Sequence, residues 1–244
     1  MKEKTALSDA IQNLYRIFGH YPLRTHVNGC PCSVSEADKR ALASKPLRLL
    51  SQSELGDYSF PAHTTWVERD DYRHFLPRIF ELMVSHEGLG FNEEILLGKL
   101  AVADWKHWPD EEQSAVCDFL RATWTVLLFD PVPNVQPNAW LCGLGTAGED
   151  LRPYLEEWLQ ARAASAYEHL VCFIELNLPN FIKRHRLTNS FWSGAPVAAL
   201  QVCDWLTNLR TLEELEKIYF ENENADFSAA LALVIEQLEF ISKI

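Results

Sequence analysis

Positive charge is what this chain has least of: 22 Lys and Arg stand against 34 Asp and Glu, a formal net charge of -12 over 244 residues. A chain so short of cations does not neutralise phosphates, which argues against nucleic acid as a partner. The same deficit disfavours anionic membrane surfaces. Runs of about 20 apolar residues are missing, so no segment reads as a membrane span. No apolar stretch follows Met1-Lys-Glu-Lys before Ser8 and Asp9, so no signal peptide is expected. Alternating β-branched runs are scarce, which leaves little material for strands. His-Glu-x-x-His, Walker A and G-x-S-x-G patterns do not occur, so nothing in the sequence marks the chain as an enzyme.

Cysteine is present but unorganised. Cys30, Cys32, Cys117, Cys142, Cys172 and Cys203 are scattered, and three of them fall inside helical patterns as small buried hydrophobes do. Free thiols in a cytoplasmic protein are the expectation.

Aromatic and aliphatic side chains are plentiful. The chain is 48% hydrophobic, with 8 Trp, 7 Tyr and 13 Phe. That is enough apolar surface to offset the entropy of ordering. The spacing is helical almost throughout. A first helix is expected over Ser8–Phe18, with Ser8 as N-cap, then a second from Ser33, where Ser33 and Glu36 fit a capping box. A short helix fits Leu47–Tyr58. Glu68–His86 follows, with Pro77 expected to kink or divide it. Asn92 caps the next, and Pro109 opens another that runs to Phe129. Leu151–Leu176 reads as one long helix or two. Pro179 marks a turn, Pro196–Leu206 a helix carrying Val197, Leu200, Cys203 and Leu206, and Thr211–Glu214 a second capping box. Asp226–Ile244 closes the chain. No residue signature returns at fixed spacing. The expected fold is therefore all-α, an irregular bundle or solenoid-like stack of about 9–11 helices. Two helical halves, 1–130 and 149–244, are expected to pack as one domain around a Pro/Gly-rich connection at 131–148.

Several constellations could carry chemistry. His20, His26, Cys30 and Cys32 concentrate zinc-type ligands in one loop, with His63 or His74 as a further donor. The single residue between the two cysteines is a poor bite for structural zinc. Gly143-Leu-Gly145-Thr-Ala-Gly148 spells G-x-G-x-x-G, but a proline-broken stretch precedes it where a dinucleotide site needs a strand. Asp70 and His74, at i and i+4, could share a helix face, while Arg73 and Arg78 read as partners for acids on neighbouring helices. Lys183-Arg184-His185-Arg186, the one basic cluster, reads as a contact for acidic helices of the same chain. Trp124, Trp158 and Trp205 sit in periodic patterns and read as core. Trp66, Trp105, Trp108, Trp140 and Trp192 lie near helix ends or loops; most are expected to be buried as well, and any that is exposed marks an interface.

The charge is uneven. Residues 1–50 hold eight Lys and Arg against four acids, whereas residues 211–244 hold eight acids against Lys217 and Lys243. Glu213, Glu214, Glu216, Glu221, Glu223 and Asp226 are the candidate partner-binding residues, able to steer and orient a basic protein. By composition the expected role is a binding module that neutralises a basic protein such as a toxic enzyme, in the manner of bacterial immunity or antidote proteins. The alternatives are a metal-binding enzyme or sensor using the His20–Cys32 loop, and a homodimeric helical scaffold.

Overall fold

A computed structural model describes residues 2–22, 40, 42, 45–59, 69–85, 92–184 and 186–242. The described residues form eleven α-helices and no strand. They fall into two compact units, Met1–Val126 and Leu127–Ile244.

The first unit comprises α1 (Lys2–Phe18), α2 (Gln52–Ser59), α3 (Arg69–Met83), α4 (Glu93–Val102) and most of α5 (Asp110–Phe129). Its hub is α3, which packs against α1, α2 and a 3₁₀ turn at Leu47–Leu49. Leu14 and Phe18 of α1 and Phe75, Leu76, Ile79 and Phe80 of α3 are all buried. Each group recurs at the three- and four-residue intervals that keep side chains on one helical face. Phe80 stacks on Phe119 of α5 at 4.7 Å between ring centroids. Full burial of such a side chain stabilises the fold by about 1.5–3 kcal/mol.

Helix α1 begins at Lys2, so Ser8 is an exposed mid-helix residue and not a cap. Pro77 neither ends nor divides α3, which runs from Arg69 to Met83. The missing proline N–H costs one helical hydrogen bond, and burial of the side chains on both sides outweighs it. Helix α2 opens on a capping box: Ser51 Oγ accepts from the Glu54 N–H at 3.4 Å, and Glu54 Oε2 accepts from the Ser51 N–H at 2.8 Å. The second helix expected from Ser33 lies mostly outside the described residues.

The second unit opens inside the last turn of α5. It continues with α6 (Pro137–Thr146), α7 (Arg152–Gln160), α8 (Ala164–Arg184), α9 (Pro196–Leu206), α10 (Leu209–Glu221) and α11 (Ser228–Ser242). Helix α8 contacts α6, α7 and α11, while α9 contacts α6, α7 and α10. Trp140, Trp158, Leu155, Ile174, Val202, Leu206 and Leu215 form the core, and Trp158 Nε1 donates to the Ala166 carbonyl at 2.9 Å.

The expected connection at 131–148 carries a buried helix instead. Pro137 presets the first helical turn of α6, and Trp140, Leu141, Cys142 and Leu144 are fully buried. Gly145 permits close packing: a Cβ there would lie 2.9 Å from the Ala198 Cβ of α9 and 3.0 Å from the Trp192 ring. Gly148, at φ +81°, ends α6 with the Gly148 N–H bonded to the Gly145 carbonyl and the Glu149 N–H to the Leu144 carbonyl, both at 3.0 Å. The G-x-G-x-x-G spelling is thus a helix interior and its C-terminal stop, not a phosphate loop.

Three further expectations change. Pro179 lies within α8. Thr211 is buried inside α10, whose cap is Asn208, with its side chain accepting from the Arg210 N–H. Val197 and Leu200 are exposed, because α9 turns Ala198, Val202 and Leu206 inward at four-residue intervals instead.

Candidate functional site

Within the second unit, α7, α9 and the start of α10 enclose a groove of about 400 Å³. Leu155 and Leu159 of α7 give it apolar lining, and Asp204 and Trp205 of α9 lie beside Gln201 on the facing helix. Its charged rim is largely self-paired. Arg152 holds Asp150 at 2.7 Å, and Arg210 holds Glu156 at 2.5 Å. The Arg152 hydrogen bond keeps the Asp150 carboxyl below the usual carboxylate range. Gln201 fixes the wall: it accepts from the Leu151 N–H at 2.9 Å and donates to Asp150 at 3.1 Å. The Asp204 carboxylate enters no hydrogen bond or ion pair among the described residues, while its backbone carbonyl accepts from Thr207 at 3.3 Å. Trp205 is half-buried, and its Nε1 is shut from solvent without an acceptor.

The six candidate partner-binding acids cluster on α10 and the turn after it. Two are neutralised internally: Glu214 pairs with Lys217 at 2.7 Å, and Glu221 with Arg162 at 2.5 Å. The Lys217 hydrogen bond lowers the Glu214 pKa and raises that of Lys217. Glu213, Glu216, Glu223 and Asp226 make no ion pair among the described residues. Phe220, 68% exposed, shares this surface with Glu216 at i−4 and Glu213 at i−7.

In the first unit, His20 and His74 both meet Tyr21. The His20 ring lies 4.1 Å from the Tyr21 ring, and His74 Nδ1 donates to the Tyr21 carbonyl at 2.6 Å. His20 Nδ1 likewise donates to the Ile17 carbonyl at 2.8 Å. A carbonyl only accepts, so both rings carry a proton on Nδ1, which leaves Nε2 as the nitrogen that can ligate in a neutral ring. Beside them Tyr21 donates to Glu112 at 2.5 Å, and Arg73 donates to the Tyr21 hydroxyl at 2.7 Å. Arg73 also lies 4.5 Å from the Trp108 ring centroid. Burial and the Glu112 hydrogen bond push the Tyr21 hydroxyl up to about 12. His26, Cys30, Cys32, His63, Trp66 and the Asp70 side chain lie outside the described residues. Among the described residues no three His, Cys, Asp or Glu side chains group to hold a metal ion.

Lys99 of α4 is another unexpected feature. It is 5% exposed, its Nζ has no hydrogen-bond partner, and burial lowers its pKa from 10.5 to about 8.

Trp105, Trp108, Trp140 and Trp192 are buried, whereas Trp205, expected in the core, lines the groove. Lys183, Arg184 and Arg186 are exposed and pair with no acid among the described residues. Lys183 and Arg184 occupy the last turn of α8, where cations favour the negative end of the helix dipole. The groove went unread because it depends on α7 and α9 meeting across some fifty residues of sequence; only the adjacency of Asp204 and Trp205 hinted at it. No helix among the described residues is long and apolar enough to cross a membrane. Compared with known protein families, with curated proteins and with solved structures, the chain matches none.

Proposed function

We propose that this chain is a protein-binding module whose second unit docks a basic protein through α10 and the turn that follows it. The observation that carries the reading is Phe220, a large exposed aromatic on the helix face that carries Glu213 and Glu216, two carboxylates with no ion pair among the described residues. Unpaired carboxylates steer a cationic partner, and an exposed aromatic supplies the buried contact that holds it. A toxic nuclease, whose cleft is basic because it grips phosphates, is the kind of partner that such a surface fits. The test is capture from lysate of the source cell by the wild-type chain and by an E213K/E216K/E223K/D226K variant. A basic protein held by the wild type, released by moderate salt and not retained by the variant, is expected. Equal retention by the variant, or capture of no basic protein, overturns the reading.

A second reading, favoured by two histidines whose Nδ1–H already meets a backbone carbonyl, is a zinc site with His20 and His74 among its ligands. Hydrogen bonding of the other ring nitrogen to a carbonyl is how metal-bound histidines are oriented. Near one equivalent of zinc in protein purified without added metal, lost in H74A, is expected. Under about a tenth of an equivalent removes this reading, since structural zinc is held too tightly to wash away.

A further inference from the structure

We propose that the groove between α7, α9 and α10 receives an arginine side chain of the partner, its guanidinium stacked on Trp205 and paired with Asp204. The proposal rests on the protein-binding reading above and names where the partner is gripped.

The charge pattern selects the occupant. Four charged side chains line the groove: Arg152, Glu156, Asp204 and Arg210. Both arginines are already held, Arg152 by Asp150 and Arg210 by Glu156. An entering anion would have to displace a carboxylate from one of them. Asp204 has no such partner, so a cation finds a free carboxylate and disturbs nothing. An exposed ion pair alone is screened by solvent and contributes too little to anchor a protein. Trp205, adjacent in sequence and lining the same groove, adds a cation–π contact.

Shape and position agree with the charge. Leu155 and Leu159 are buried beneath the groove, and half-buried Trp205 is the apolar surface left for the methylene stem of a long cationic side chain. Arginine fits better than lysine, because a planar guanidinium stacks on an indole and meets a carboxylate through two donors at once. The volume of about 400 Å³ lies at the small end of the range for ligand pockets, about 300–1,000 Å³, which suits one or two side chains of a bound surface. Arg210 and Thr211 bound the groove and lie within one turn of Glu213 and Glu214. Groove and acidic face therefore form a single continuous surface along α10.

The probe is the pentapeptide acetyl-Gly-Ala-Arg-Ala-Gly-amide, titrated into the full chain labelled at its indole nitrogens. The eight tryptophans give eight indole signals, of which W205F removes that of Trp205. A saturable shift of the Trp205 signal is expected, weakened at least threefold in D204N and absent when citrulline replaces arginine. No shift with arginine, an equal shift with citrulline, or unchanged binding to D204N overturns the proposal. A peptide with glutamate in place of arginine that binds more tightly makes the groove an anion site and overturns it too. Partner capture separates the two readings. Capture lost by the four-lysine variant but kept by D204N sinks the groove assignment alone, whereas capture kept by both sinks the surface reading.

Discussion

Gly145→Ala is the sharpest test of how the second unit is packed, because two effects oppose each other there. Alanine is the best helix former, so the exchange in mid-helix favours α6 by about 1 kcal/mol. The new methyl group, however, would sit 2.9 Å from the Ala198 Cβ and 3.0 Å from the Trp192 ring. Carbon atoms prefer about 3.5–4.0 Å, so α6 and α9 must separate by more than half an ångström. Neither neighbour can swing aside: one is a Cβ fixed to its backbone and the other an edge of a buried indole. Overpacking of this kind costs about 1–3 kcal/mol, so the net expectation is destabilisation by about 1 kcal/mol. Urea unfolding followed by far-ultraviolet circular dichroism measures it. The decisive version is a double-mutant cycle with Ala198→Gly. The single A198G change costs about 1 kcal/mol of helix propensity, yet in the G145A background it removes the nearer of the two close contacts. A coupling of at least about 0.5 kcal/mol in favour of the double variant is expected. Strict additivity, or a stabilised G145A, would show that the helices do not approach as closely as described.

The remaining predictions concern single positions. Gly148→Ala meets no neighbour within 4 Å but must hold φ +81°, so it costs about 1–2 kcal/mol through backbone strain alone, visible as a lowered urea midpoint. Lys99→Met stabilises the first unit at pH 7. The native chain binds the Lys99 proton more weakly, releasing it near pH 8 against 10.5 for the unfolded chain. Wild-type stability therefore rises with pH across that window, by up to about 3 kcal/mol, and the rise is missing in K99M; identical pH profiles would refute this. Ser51→Ala removes the α2 capping box and costs about 1 kcal/mol in thermal or urea unfolding. Glu54 is held at about 2, chiefly by the Lys45 hydrogen bond and then by Ser51. The contribution of Glu54 is thus fully present above the usual carboxylate range and fades as pH falls towards 2, a dependence that Glu54→Gln abolishes.

Elements with unambiguous local signals were legible in the sequence. Helix α9 runs from Pro196 to Leu206, as its proline start and apolar spacing predict. Helix α5 likewise follows the proline and the acids that open it. Which face of a helix turns inward was less legible. Val197 and Leu200 fit a three-residue rhythm yet face solvent, because Ala198 is the residue small enough to meet α6. Helix α6 is illegible in the sequence for the same reason. Prolines and glycines argue locally for a loop, and only a neighbour that needs Gly145 bare explains a glycine in a buried helix. The acids of α10 were visible as a cluster, but their division into paired and unpaired groups depends on Arg162, far away in sequence. Trp205 was assigned to the core because periodicity records that a position is apolar, not that the helix opposite stands back from it.

Lys99 has a use apart from any role in binding. Near pH 8 about half of this amine carries no proton, the form that attacks acylating reagents, yet its burial keeps such reagents away. Acylation at this position must therefore wait for α4 to leave its packing. The rate at which a small anhydride marks Lys99, compared with exposed lysines such as Lys106, becomes a clock for spontaneous opening of the first unit under fully native conditions.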